Sequence, residues 1–579
     1  MIDGIYCVAS LDGSTIARED CEALGLDPAE GSFSGHVIDV GMPQCAEQVQ
    51  NGEYSLLFLG QLQDHAALAD RLGLSRDESP AALALAALHR WGANTRNNLA
   101  GRWSFACWNA ASRQLTFVTS ANLRDRHYFA LDGCKLAIAP SLKTLAKLPW
   151  VSDQIDPLGF ATMMALGRLK VQLPAATFLK LVFPIDHNEF LTLSSEGCIA
   201  AERRLPNVAG WNGDFEEGVA AVRDRLRQII RHEIAAHRHL GVFLSGGLDS
   251  TILAWLTSEE LQPHQTLTAF CSVTPDGDEY ADDFHLAKMA ADHLGIPIVG
   301  VFPPREGNIY RAGRAHMERM QILSPRHYLY DAFYAAAQER GISLILDGLI
   351  GETSVTGSAR LVTPGTLLRQ AKMVAGKTVR DWFGNRDWAQ EALFFTPSEK
   401  LREMLPEAFT GFRPQMTLPE LNFSNRPIGL PRMMPAIGEI VTSTTVPGLR
   451  CAYPFIDPEL IALTSGMPAN FFYRDGMGRA LARRILAGAV PDELRLAPKG
   501  GAFSPDYRKR LATDVQQEIS RISALQHSGA GDLVDLEWLS VQLRGAQDAE
   551  TGAFDLLRRL HFSTLTAEFV CWWQSGRSG

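Results

Sequence analysis

No Cys-x-x-Cys pair occurs in this chain, and its nine cysteines, at 7, 21, 45, 107, 134, 198, 271, 451 and 571, are scattered. That pattern excludes a zinc ribbon and a dithiol redox motif. An odd, dispersed set fits reduced thiols better than a disulfide framework, and so points to the cytoplasm. A surplus of positive charge is also lacking. The 55 Lys and Arg face 65 Asp and Glu, and the net charge of −10 argues against a nucleic-acid-binding surface. No apolar run approaches the roughly 20 residues that span a bilayer. The opening Met-Ile-Asp-Gly-Ile-Tyr has neither a basic n-region nor a long apolar core, so no membrane span and no secretory signal are expected. His285, His293 and His327 fall on predicted helices without His-x-x-x-His spacing, so no zinc site is expected.

What is present is an ordinary globular composition, 46% hydrophobic and 21% charged, in a chain too long at 579 residues for one core. Residues 1–205 carry short β-like runs at 5–9, 54–59, 103–108, 114–119, 135–139 and 189–193, with one helical stretch at 80–89. The segment 207–213, with Gly210 and Gly213 around Trp211, reads as the join. From Phe215 onward helical patterns alternate with apolar strands, the sign of an α/β domain with a parallel sheet over 206–579. Strands are expected at 242–244, 267–273, 297–302 and 342–346, and helices at 280–294, 327–340 and from Thr251. Ligands of such sheets sit past the carboxyl ends of the strands, where loops 245–250, 273–279 and 347–353 would converge.

The most informative stretch is Leu244-Ser245-Gly246-Gly247-Leu248-Asp249-Ser250. An apolar strand enters a glycine turn, and the turn enters a helix. Free amide N–H groups and the helix dipole then point at one place and suit an anion such as phosphate. Glycine lets the backbone approach oxygen closely. Asp249 adds a hard oxygen ligand suited to magnesium, and Ser245 and Ser250 supply hydroxyls. No Gly-Lys-Ser/Thr follows, so this is not a Walker loop.

Ser245-Gly-Gly-Leu-Asp-Ser250 resembles the loop of the PP-loop ATP pyrophosphatases. Three further stretches are similar to the asparagine synthetase superfamily. They are Cys451-Ala-Tyr-Pro-Phe-Ile-Asp457, then Asp475-Gly-Met-Gly-Arg479-Ala-Leu-Ala-Arg483 followed by Val490-Pro-Asp-Glu-Leu494 and Pro498-Lys499-Gly-Gly-Ala-Phe503, and Leu99-Ala-Gly-Arg-Trp-Ser-Phe-Ala-Cys-Trp-Asn109. The resemblance implies an Ntn-hydrolase-like β-rich sandwich over 1–205 and an ATP-binding synthetase domain of PP-loop type over 206–579. It implies ATP and Mg2+ as cofactors, with Asp249 and Glu352 as metal ligands. Leu244, Ser245, Gly246, Gly247, Asp249, Ser250, Val273, Gly348 and Arg479 would contact the nucleotide. Lys499, Glu352 and Asp347 would be the catalytic set; Asp347 either orients the amine or caps a turn.

The departures from that family are as telling. Its glutamine-dependent members need a cysteine directly after the initiator methionine, and here Ile2 stands there. Cys7 lies within a predicted strand and reads as a structural thiol. The usual Arg-Asp-Pro-Leu-Gly run is replaced by Ser120-Ala-Asn-Leu-Arg-Asp-Arg126, so the first half reads as a scaffold without ammonia-releasing activity. In the third loop the acidic Gly-Glu-Gly-x-Asp-Glu pattern becomes Gly348-Leu349-Ile350-Gly351-Glu352-Thr353. Leu349 removes an acid. Arg479 stands at a usual lysine and Ala497 at a usual arginine, while Asp457 reads as structural.

A silent first half with an altered third loop resembles the β-lactam synthetases and, more closely, the lasso-peptide cyclases. By that resemblance the substrate is a precursor core peptide, whose Asp or Glu side chain is adenylated and joined to its N-terminal amine. A leader peptidase and a small leader-binding protein are the implied partners. The insertion around 354–430, with Arg360, Arg369, Lys372, Lys377 and Arg380, either holds the peptide or is a surface segment. Asparagine synthesis from free ammonia and β-lactam closure are the competing enzyme readings, and a catalytically silent binding scaffold is the non-enzyme one.

Overall fold

A computed structural model describes residues 3–28, 31–39, 45–120, 126–164, 177–186, 188–203, 208–274, 283–303, 309–310, 316–317, 327–356, 393–405, 448–498 and, discontinuously, 506–575. Contacts divide the chain into two compact units, one built on Met1–Pro206 and the other on Asn207–Pro431 with Leu449–Gly579.

The first unit holds two antiparallel sheets. One is ordered β2-β1-β8-β7-β9, from β1 (Gly4–Ser10), β2 (Phe33–Ile38), β7 (His127–Asp132), β8 (Lys135–Ala139) and β9 (Val182–Ile185). The other is ordered β11-β10-β6-β5-β4-β3, from β3 (Ala46–Asn51), β4 (Tyr54–Leu62), β5 (Gly101–Asn109), β6 (Gln114–Thr119), β10 (Glu189–Ser194) and β11 (Gly197–Arg203). Successive side chains of a strand point to opposite faces, and this unit uses both faces of the second sheet. Leu57 and Leu59 join Cys7, Phe117 and Ile138 in the core between the sheets. Leu56 and Phe58 face the other way, against helices His65–Leu72 and Pro80–Trp91. The six β-like runs of the sequence are strands here. The strands not foreseen include edge-lying β3, which is rich in Glu and Gln, and β2, which is only half-buried along its length.

The second unit is built on a five-stranded parallel sheet ordered β14-β13-β12-β15-β16. Its strands are β12 (His239–Phe243), β13 (Thr266–Ser272), β14 (Ile298–Val301), β15 (Leu344–Leu346) and β16 (Arg450–Ala452). Parallel strands are buried on both faces, which is why 240–244 and 344–346 read as unbroken apolar runs. The apolar stripe Val219, Val222, Leu226, Ile229 and Ile230 packs helix Phe215–Ile234 into the same core. A reciprocal capping box of Asp214 and Glu217 starts that helix. Helix Leu248–Glu260 begins three residues before the apolar run suggested, with Gly247 as its N-cap. Among the described residues no helix is long and apolar enough to cross a membrane.

Candidate functional site

The carboxyl end of the central strand β12 runs into the glycine turn. Leu244 is buried, and its N–H still donates to Phe270 O of β13 at 2.9 Å, so the loop springs from a fixed point. Gly246 has φ +73°, and a Cβ there would meet Leu286 Cβ at 2.6 Å and Ala287 N at 3.0 Å. Glycine is therefore required twice over, by the left-handed backbone and by the packed helix Phe284–Leu294. The loop is stiffened from within. Ser250 Oγ donates to Gly247 O at 3.0 Å and accepts from Ser245 N–H at 3.2 Å, and Ser245 Oγ lies 3.2 Å from Ser250 Oγ.

No side chain caps the 13-residue helix that follows; its N-cap is Gly247. The first N–H groups of such a helix suit an anion. The third loop comes directly against it. A Cβ on Gly351 would run into the Asp249 carboxylate, and a Cβ on Gly348 would lie 3.4 Å from Ser250 N and 3.5 Å from Asp249 Cβ. The structure thus unites two of the three loops foreseen, and sets the Asp249 carboxylate over the backbone next to the exposed Glu352. Hard carboxylate oxygens beside uncapped amides suit a magnesium–phosphate pair. Val273 directly follows β13, its N–H on Val301 O at 3.0 Å; residues 275–282 lie outside the described residues.

Asp347 terminates β15, its N–H on Ala452 O at 2.9 Å. Its Oδ1 accepts from Leu349 N–H at 3.0 Å, so it does cap the turn. It is 9% exposed. Burial, helped by the Glu352 charge and opposed by the Leu349 hydrogen bond, pushes its carboxyl up to about 7. Beside it lie Tyr334, whose hydroxyl burial pushes well above its ordinary range, and Cys451, whose Sγ is 3.9 Å from that hydroxyl. Between its ordinary value of 3.8 and about 7 the folded chain keeps a proton on Asp347 that the unfolded chain has released. This contribution to stability is full below pH 3.8 and is lost as pH rises through 7. Asp347→Asn should therefore stabilise the metal-free protein more at about pH 8 than at about pH 4, by on the order of a few kcal/mol. Urea unfolding at the two values checks this, and an equal shift at both would contradict it.

Sequence reasoning missed Ile350. It has φ +72°, a left-handed conformation that β-branched residues rarely adopt. It stands where the acidic loop pattern has its second glycine, and that alignment was the available clue. Also missed were β16, whose Ala452 carbonyl holds Asp347, and Arg225. The guanidinium of Arg225 grips Asp457 through Nε at 3.0 Å and Nη2 at 2.8 Å, while Asp457 Oδ1 also caps Leu460 N–H at 2.9 Å. Asp457 is thus an anchor for its motif.

Arg479 has φ +61° and precedes helix Ala480–Ile485, where its charge falls on Arg483. No described interaction joins it to residues 245–250. Arg483 donates to Gly478 O at 3.0 Å, to Ala497 O at 3.2 Å and to Arg495 O, anchoring the chain that leads to Lys499. Lys499 lies outside the described residues, as do Ile2, residues 121–125 and, within the insertion, 357–392 and 406–430 with Arg360, Arg369, Lys372, Lys377 and Arg380. In the first unit Cys7 is fully buried in β1, and burial pushes its thiol up to about 12, so it is no poised nucleophile.

Residues 221–414 and 441–568 match the asparagine synthase family, described as asparagine synthase. The chain is 22% identical over 564 residues to a Mycobacterium tuberculosis protein named putative asparagine synthetase (glutamine-hydrolyzing), covering 88% of this chain and 82% of that one. It is 23% identical over 269 residues to amidase chry2 of Gibberella zeae, covering 41% of this chain but only 37% of the amidase. Glutamine phosphoribosylpyrophosphate amidotransferase from B. subtilis, solved with ADP and GMP, is 14% identical with a TM-score of 0.23, covering 64% and 73% of the two chains. That likeness is too distant to bear on the fold.

Proposed function

Because the chain belongs to the asparagine synthase family, we propose that it is an ATP-dependent amide-forming ligase that releases AMP and pyrophosphate. The observation that carries this reading is the pairing of the glycine loop with the third loop at the carboxyl ends of the parallel sheet. The triphosphate of ATP would lie over Ser245–Ser250, on the uncapped N–H groups of helix Leu248–Glu260. A substrate carboxylate would attack the α-phosphorus, and the P–O bond to pyrophosphate would break. Magnesium held by Asp249 and Glu352 would supply charge neutralisation on the leaving pyrophosphate. An amine would then attack the acyl carbon, with AMP as leaving group. Lys499 would stabilise the tetrahedral oxyanion of that second step. Asp347, whose carboxyl is pushed up to about 7 and whose Oδ1 accepts from the Leu349 N–H, would take the ammonium proton.

For the substrate we propose a precursor core peptide, closed into a macrolactam between an Asp or Glu side chain and its N-terminal amine. Two features support this reading: Leu349 in place of an acid, and the buried inert thiol of Cys7. Asparagine formation from free ammonia is the second reading, favoured by the near full-length match to the mycobacterial relative. The deciding assay is AMP and pyrophosphate release with magnesium, run with aspartate plus ammonia and, separately, with a leaderless core peptide. AMP formed only with the peptide, with a product lighter by one water, supports the cyclase. Asparagine in the other arm would replace it with a synthetase.

A further inference from the structure

We propose that a cleft of about 520 Å³ on the second unit is a binding site for a small organic anion with an apolar body, separate from the nucleotide loop. Its walls come from helices Phe215–Ile234, Leu248–Glu260, Phe284–Leu294, which contributes His293, and Ala480–Ile485. Ser258, on one wall, lies nine residues beyond Asp249 on one helix, about 13 Å along its axis. The volume falls within the roughly 300–1,000 Å³ of small-molecule sites.

Charge decides the class of ligand. Both carboxylates of the cleft are already engaged. Glu216 accepts from Arg484 Nε at 2.9 Å, while Glu259 is paired with Arg227 and accepts from Trp255 Nε1 at 2.8 Å. Arg223 is different. Its Nε is buried without a hydrogen-bond partner among the described residues, and its ionic neighbour is Asp224 at 3.9 Å. The Arg223 side chain is 38% exposed and lines the cleft, and its planar fork, with no carboxylate within hydrogen-bond distance among the described residues, suits an oxyanion. Val219, Ile485 and the Trp255 indole provide an apolar wall beside it. The shared chemistry is therefore a carboxylate or phosphate ester carried on an apolar or aromatic group. Arg484 and Ile485 lie on the same short helix whose Arg483 anchors the chain before Lys499.

The test titrates the full-length protein with phenylacetate, phenyl phosphate, inorganic phosphate and, as a cationic control, phenethylamine. Intrinsic tryptophan fluorescence and calorimetry report binding. One or both aromatic anions should saturate, their ratio telling carboxylate from phosphate, with inorganic phosphate weaker and the amine silent. Arg223→Gln should weaken binding by about tenfold or more, with an unchanged circular dichroism spectrum, and Arg223→Lys should fall between. Ser258→Trp fills the cleft from a second wall and should abolish binding even if Arg223→Gln fails to fold. No saturation by either aromatic anion below about 10 mM would overturn the proposal. So would wild-type affinity in Arg223→Gln, or displacement of the probe by ATP.

Discussion

Asp249→Asn is expected to leave the fold intact and to lower magnesium-dependent ATP cleavage by about 10²–10³-fold, the equivalent of several kcal/mol of lost charge neutralisation. Asp249 sits in the first turn of helix Leu248–Glu260, and its carboxylate lies over Gly351 of the third loop. Asparagine keeps the size and the packing but loses the charge and the hard ligand. A companion variant separates charge from placement. Gly351→Ala leaves Asp249 unaltered in sequence, yet its new Cβ would occupy the space of the carboxylate. It should produce a comparable loss. The measurement is pyrophosphate release against magnesium concentration, with thermal unfolding as the check on folding. Full activity in both variants would remove Asp249 from the metal site and with it the proposed geometry.

Lys499→Met is expected to lower amide formation by about 10²–10³, the range for losing one oxyanion donor. The chain leading to it is held by Arg483 through the carbonyls of Arg495 and Ala497. That grip gives a second, distinguishable variant. Arg483→Met keeps the lysine but frees its approach, so it should reduce the rate while leaving ATP binding near wild type. Single-turnover pyrophosphate release and product formation should be followed separately. If Lys499 acts in the second step, adenylate and pyrophosphate still form while product stalls. An equal fall in both would assign the lysine to ATP binding or to the first step instead.

The glycine loop was legible because strand, turn and helix N-terminus are contiguous in sequence, so Leu244 to Ser250 carry their own geometry. The apolar runs of β12 and β15 were legible too, since parallel strands bury both faces. Polar edge strand β3 and half-buried β2 were not, because neither carries the apolar alternation of a strand with one buried face. Three-residue β16 is too short for any periodic pattern. The role of Asp347 was open in sequence: capping a turn and shifting toward neutrality both depend on its burial beneath Ala452, Tyr334 and Leu349. Arg225 gave no local sign, as its partner Asp457 is 232 residues away.

By itself, the sequence determined the local groups available here: a glycine turn leading into a helix start that bears a carboxylate, and a third loop in which Leu349 stands for an acid. Those are properties of residue type and close spacing, which backbone stereochemistry converts directly into local shape. Only the tertiary structure decided which carboxylates share a site. It set Asp249 against Gly351 and buried Asp347 until its acidity changed. It also left the Arg223 donor unsatisfied in a cleft. Burial and long-range approach depend on the packing of distant segments, and no local pattern encodes them.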